Sequence, residues 1–290
     1  MMKAAIDIGS NSIRMLVGNV ENGVVQVEAQ YLRTTRLGKT EKGGNLNPEA
    51  VERTLAALAE FHKILQVYGL EKNPVVAATS AVREAADGVD FKKKIADRLG
   101  WDLRILSGEE EARYSYAGAA AVAGGGGNAA VIDVGGGSTE LIFPNADGRI
   151  CGRSVAVGAV RLHSGEVRQA DLLVVLSPLQ EMYGQGDRAM NFVGVGGTIT
   201  SLAAMKKGLT VYSRAEINGT ALTKAELAAY YNELTALKSE EILCRYPLLQ
   251  NREDIITEGI AIYLALAELL GFDEIIVSDA GILDGLLPEA

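Results

Sequence analysis

Two stretches constrain the fold more than anything else in the chain. Ala5-Ile6-Asp7-Ile8-Gly9-Ser10-Asn11-Ser12 stands near the start, and Val131-Ile132-Asp133-Val134-Gly135-Gly136-Gly137-Ser138-Thr139-Glu140 near the middle. In each, an apolar run of strand length ends on Asp, and a glycine follows two residues later, the pattern of a buried strand feeding a tight turn. What comes next is also shared. Ile13–Val20 and Val24–Tyr31 read as strands around a hairpin signal at Glu21-Asn22-Gly23. Thr139–Phe143 and Arg149–Val157 read the same way around Asn145-Ala146-Asp147-Gly148. Helices alternating with strands follow in both halves. One plan written twice predicts an α/β chain with two domains, placed at residues 1–124 and 125–290.

The alternating segments carry recognisable boundaries. Asn47 caps a helix with Pro48 in its first turn, Val51, Leu55, Leu58, Phe61, Leu65 and Tyr68 keep helical spacing, and Gly69 stops it. Pro74–Thr79 and Leu103–Leu106 read as strands, with a helix at Asp90–Leu99 between them. Ser107 with Glu110 is a capping box, opening a helix that runs to about Val122. In the second half, Phe192–Val195 is a strand and Gly196-Gly197-Thr198 opens a helix. Thr223–Leu237 and Arg252–Leu270 are helical, Glu274–Ser278 is the last strand, and a short helix follows Asp279-Ala280-Gly281. Gly124–Gly127 falls between the halves, as a surface loop or a hinge.

Composition removes several function classes. With 28 basic and 37 acidic side chains among 290 residues the net charge is −9, the wrong sign for a protein that binds duplex nucleic acid non-specifically. A polyanionic ligand would therefore need local basic groups, backbone amides and metal. Cys151 and Cys244 are far apart and read as reduced thiols; with His62 and His163 isolated as well, a zinc site or a histidine triad is not expected. The N-terminus reaches Asp7 too early for a secretory segment. The uncharged stretch from Tyr114 to Ile132 is dominated by Ala and Gly, unlike a membrane span. The expectation is a cytoplasmic protein with no membrane partner.

The two Asp–Gly loops carry the chemistry. Glycine lets backbone N–H groups approach anionic oxygen, and Ser and Asn add side-chain donors. An Asp at each strand end would repel phosphate directly, but becomes useful with Mg²⁺ between them. Either loop alone is equally a hairpin turn; the pairing of two is what points to a phosphate ligand.

The same residues, with Ala78-Thr79-Ser80-Ala81-Val82-Arg83, Ser107-Gly108-Glu109-Glu110-Glu111-Ala112-Arg113 and Ser278-Asp279-Ala280-Gly281-Ile282-Leu283-Asp284-Gly285, resemble the exopolyphosphatase/guanosine pentaphosphatase (Ppx/GppA) family of the actin-like superfamily. The resemblance spans essentially the whole chain. It implies two tandem actin-like (RNase H-like) domains, a mixed sheet in each and a cleft between them. It also implies Mg²⁺-dependent release of terminal phosphate from polyphosphate or a guanosine polyphosphate, whose end would be held between the two loops.

Carried over residue by residue, the family pattern makes Glu111 the general base. Asp133 and Glu140 become catalytic and metal-binding carboxylates, with Asp7 the matching carboxylate of the first half. Phosphate contacts fall on Gly9, Ser10, Asn11, Ser12, Arg83, Gly135, Gly136, Gly137, Ser138 and Thr139. Gly196, Gly197 and Thr198 complete them as a third superfamily loop, which a plain strand-to-helix turn explains equally well. Glu109 and Glu110 are read as helix-start acids, and Lys92-Lys93-Lys94 as a solvated helix face. The chain has no His-Asp pair and stops where long relatives continue into a further helical domain, so a short-form member is expected; a homodimer is compatible with it. Two other readings stay open: a small-molecule kinase of the same fold, and a non-catalytic binder of polyphosphate or nucleotides.

Overall fold

The computed structural model describes residues 1–290 except 11, 22–23, 39–43, 123–127 and 185–189. The expected turn at Asn22-Gly23 and the hinge at Gly124–Gly127 thus lie outside the described residues, as does Asn11. The chain divides into two compact units, Met1–Gly118 with Gly281–Ala290, and Ala119–Ala280.

The first unit contains strands β1 (Met2–Ile8), β2 (Ser12–Glu21), β3 (Val24–Thr34), β4 (Val75–Ala78) and β5 (Leu103–Ile105). Its helices are α1 (Pro48–Tyr68), α2 (Ser80–Arg83), α3 (Gly88–Leu99) and, as far as Gly118, α4 (Gly108–Val122). The strands form one mixed sheet in the order β3-β2-β1-β4-β5; β1, β2 and β3 are antiparallel, whereas β1, β4 and β5 are parallel. Pleating sends alternate residues to opposite faces. Ala4, Ile6 and Ile8 of β1 join Leu58, Phe61, Phe91 and Trp101 in one core, while Ala5 joins Leu16, Ala77 and Leu106 on the other face. The caps of α1 form as expected: Asn47 Oδ1 accepts from Ala50 N at 3.0 Å, and Gly69 takes φ 68°.

The second unit repeats the arrangement. Its strands are β6 (Ala129–Val134), β7 (Thr139–Pro144), β8 (Ile150–Val155), β9 (Asn191–Val195), β10 (Ala221–Thr223) and β11 (Glu274–Val277). The helices are α5 (Ala159–His163), α6 (Leu172–Tyr183), α7 (Gly197–Lys206), α8 (Arg214–Ile217), α9 (Lys224–Thr235), α10 (Ser239–Arg245) and α11 (Ile256–Leu270). Sheet order is β10-β11-β9-β6-β7-β8, with β6, β7 and β8 antiparallel and β6, β9 and β11 parallel. The expected helix at Arg252–Leu270 starts later, at Ile256: residues 252–255 form a turn in which Ile255 N donates to Arg252 O at 3.0 Å, and Ile255 at φ −123° stands outside the helical range.

The last segment differs from a single cut at residues 124/125. Helix α12 (Ile282–Leu286) and the 3-10 turn Leu287–Glu289 pack in the first unit. Ile282, Leu283, Leu286 and Leu287 complete the core formed by Ala5, Leu16 and Tyr114, which would otherwise face water. Two glycines permit the close approach of α12 to α4: a Cβ on Gly285 would lie 2.1 Å from Tyr114 O, and one on Gly118 2.0 Å from Gly281 O.

Candidate functional site

In the first unit the candidate residues gather at the carboxyl ends of the parallel strands, the end at which α/β sheets commonly bind ligands. Ile8, Ala78 and Ile105 are in register across β1, β4 and β5, so the three loops that follow leave the sheet side by side. Thr79 N donates to Ile8 O at 3.3 Å and Leu106 N to Ala78 O at 2.9 Å, extending the ladder into the loops. Ser10 Oγ lies 3.1 Å from Ser80 Oγ. Arg83 Nη1 donates to Leu106 O at 2.9 Å and to Glu111 Oε2 at 2.8 Å. Arg83 and Glu111, from separate motifs and 28 residues apart, therefore form one ion pair. Both side chains are about a third exposed, at 30% and 32%, so each can reach a ligand.

Helix α4 presents Glu111 in a fixed place because its start is well tied. Ser107 N donates to Glu110 Oε2 at 2.9 Å and Glu110 N to Ser107 Oγ at 3.2 Å, the expected capping box. Those bonds, chiefly the backbone one from Ser107, hold the Glu110 carboxyl below its usual range. Glu110 is thus committed to the helix end, leaving Glu111 as the carboxylate beside Arg83.

Asp7 is only 2% exposed. Its Oδ2 accepts from Arg14 Nη2 at 2.7 Å and Nε at 3.1 Å, across the β1–β2 register. Oδ1 is buried with no hydrogen-bond partner among the described residues. A buried carboxylate oxygen left bare costs about 1–3 kcal/mol, and a bound ion is one standard resolution.

In the second unit the corresponding loop closes in the same way: Gly9 N donates to Ser12 O at 3.0 Å, and Gly135 N to Ser138 O at 3.0 Å. These two glycine amides are therefore spent on the turns, and the exposed residues are Ser10 in one loop, Gly136 and Gly137 in the other. Asp133 pairs with Glu140 across β6–β7, and Glu140 with Ser154 across β7–β8. Directly opposed residues project from the same face, so the two carboxylates are neighbours. Ser154 Oγ donates to Glu140 Oε1 at 2.6 Å. On the other side, Gly196 takes φ 98°, and a Cβ there would lie 2.5 Å from Val134 O and 3.1 Å from Asp133 Oδ1. Only glycine meets both demands.

Beneath this end of the sheet, the buried Tyr263 hydroxyl donates to Val195 O at 2.6 Å. Burial, and then the charge of Asp133, hold the phenol well above its usual range, so it remains a donor.

Several residues of the loop motifs serve as braces. Thr139 is fully buried and donates through Oγ1 to Val157 O at 2.7 Å. Thr198 is buried against Gly259 of α11. Conversely, Arg252 stands in none of the sequence motifs, yet its guanidinium lies on the Gly196–Gly197 turn: a Cβ on Gly197 would sit 1.5 Å from Nη1. Arg252 is exposed, and nothing local in the sequence ties it to a glycine 55 positions earlier.

Among the described residues, no group of three or more His, Cys, Asp or Glu side chains stands ready to hold a metal. Mg²⁺ commonly needs only one or two protein carboxylates, with substrate phosphate and water completing its shell. The Asp133–Glu140 pair and the bare Asp7 Oδ1 fit that demand, each within its own unit. No helix among the described residues is long and apolar enough to cross a membrane.

Known proteins show the same pattern over nearly the full chain. The model of the Ppx/GppA phosphatase family matches residues 16–290. An exopolyphosphatase 2 from Mycobacterium tuberculosis is 31% identical, over 98% of this chain and 96% of that protein. A guanosine-5'-triphosphate,3'-diphosphate pyrophosphatase from Aliivibrio fischeri is 30% identical, over 98% of this chain and 58% of that one. A crystal structure of the Aquifex aeolicus Ppx/GppA family member superposes with a TM-score of 0.84 at 28% identity, covering 100% of this chain and 97% of the other.

Proposed function

Because the chain belongs to the Ppx/GppA phosphatase family, we propose that it hydrolyses terminal phosphoanhydride bonds, releasing orthophosphate from inorganic polyphosphate or from a 5′-polyphosphorylated guanosine nucleotide. The observation that carries this reading is the Arg83–Glu111 pair at 2.8 Å, set at the carboxyl end of β1, β4 and β5 beside the Ser10 loop. Hydrolysis needs a carboxylate to orient and deprotonate water, and a cation to meet the phosphoryl oxygens; the pair supplies both at one place.

The roles divide between the units. In the first, Glu111 is the base, and Arg83 both fixes its carboxylate and offers donors to phosphate. Ser10 supplies a further donor. In the second, Gly136, Gly137 and Ser138 face phosphate oxygen, Arg252 covers the Gly196–Gly197 turn as a cation, and Thr139, Thr198 and Tyr263 hold the loops in place. Asp133 and Glu140 within the second unit, and separately Asp7 within the first, are the carboxylates suited to Mg²⁺. When bound, Mg²⁺ would neutralise charge developing on the phosphoryl oxygens. The protein acts as a cytoplasmic enzyme.

The test is phosphate release from long polyphosphate, tripolyphosphate, guanosine pentaphosphate and ATP, each with Mg²⁺ and with EDTA. The reading expects Mg²⁺-dependent release from at least one of the first three. ATP-dependent phosphorylation of a small acceptor without such release would identify a kinase instead. Tight polyphosphate binding without turnover would identify a binder.

A further inference from the structure

Arg161 belongs to none of the sequence motifs, yet the fold delivers it to the tip of the second unit's glycine loop. Helix α5 is locked onto that loop by backbone. Ala159 N donates to Gly135 O at 3.0 Å and Val160 N to Gly136 O at 2.9 Å. The approach is close enough to exclude a side chain, since a Cβ on Gly158 would sit 2.5 Å from the Gly136 carbonyl carbon. With the helix start fixed in this way, the Arg161 side chain reaches back to Gly137, where its Nε stands 3.7 Å from the position of a Cβ. A side-chain carbon at Gly137 would thus just touch the guanidinium, so Arg161 borders the space beside the exposed glycine.

The charge of Arg161 is not strongly used within the protein. Its acidic neighbour Glu166 approaches Nε only to 3.8 Å, beyond hydrogen-bond distance, and the Arg161 side chain is 44% exposed. By contrast, the nearby Arg168 is bound at 2.7 and 3.1 Å by Asp171. In a chain carrying nine more acidic than basic groups, a loosely paired cation held against a glycine tip is suited to an incoming anion. A guanidinium there can add a bidentate contact to phosphate oxygen that backbone amides alone do not provide.

We infer that Arg161 is a phosphate-contacting residue of the second unit and sets the affinity for the phosphate chain, an inference that rests on the hydrolase reading above. Steady-state phosphate release from polyphosphate tests it with Arg161→Gln, Arg161→Lys and, as a charge-matched control, Arg168→Gln. Arg161→Gln should raise KM about tenfold, the scale of one lost charged hydrogen bond, with kcat within about twofold. Arg161→Lys should recover part of the loss, and Arg168→Gln should leave KM unchanged. An unchanged KM in Arg161→Gln, a fall confined to kcat, or an equal KM rise in Arg168→Gln would overturn the assignment while leaving the hydrolase reading intact. A wild-type protein that releases phosphate from none of its proposed substrates would remove both.

Discussion

Gly197→Ala separates the role of Arg252 from the stability of the fold. A methyl at Gly197 would stand 1.5 Å from Nη1, 2.1 Å from Cζ and 2.4 Å from Nη2 of Arg252, so the guanidinium must leave the turn. It is the far end of an exposed side chain, and moving it should cost less than about 0.5 kcal/mol. Gly197 is the first residue of α7, and Ala there returns up to about 0.5–1 kcal/mol of helix propensity. The two contributions nearly cancel, so the melting temperature should stay within about 3 °C of wild type. The ligand loses a charged hydrogen bond worth about 1.5–3 kcal/mol, which is roughly ten- to hundredfold in KM. Phosphate-release kinetics and thermal unfolding read the two quantities separately. Because both changes act through one guanidinium, Gly197→Ala should add little in an Arg252→Gln background. A full additional KM increase in the double variant, or an unfolded single variant, would refute the reasoning.

Two further outcomes concern the C-terminal segment. Gly285→Ala puts a Cβ 2.1 Å from Tyr114 O, a backbone atom that cannot swing aside; overpacking of this kind should cost about 1–3 kcal/mol, visible as a lower midpoint in urea unfolding. Glu289 is held below the usual carboxyl range, first by the Tyr114 hydroxyl at 2.6 Å and then by Arg104. A depressed carboxyl contributes stability that is present above its unfolded value of 4.5 and is lost as pH falls through the folded one. Melting temperature should therefore fall on acidification below about pH 4.5, and Glu289→Gln should make that fall shallower. An identical slope in the variant would show that the contact does not couple protonation to folding.

What the sequence made legible was local. The Asp–Gly turns, the Ser107–Glu110 capping box and the Asn47 and Gly69 caps depend on residues within a few positions of one another, and each forms as read. The repeat of strand order between the halves was legible for the same reason, since it follows from turn chemistry and hydrophobic runs. Three features were not. Gly281–Ala290 joins the first unit because that sheet has a second apolar face to cover, which no local pattern records. Thr139 and Thr198 sit in loop motifs but turn inward, and which way a strand-end residue points depends on a register set from elsewhere. Arg252 and Arg161 reach glycines through tertiary packing alone. Arg83 and Glu111 lie between these cases: each was readable from its motif, but their pairing required the parallel register of β4 and β5.

The most direct test of the central claim is the turnover of Glu111→Gln on polyphosphate beside wild type, with unfolding followed on the same samples. The amide keeps the size of the side chain. The ion pair it removes is about a third exposed on each side, so stability should change by less than about 1 kcal/mol. Loss of the general base should lower kcat about 10²- to 10⁴-fold with KM little changed. A folded Glu111→Gln protein that retains wild-type kcat would contradict the account.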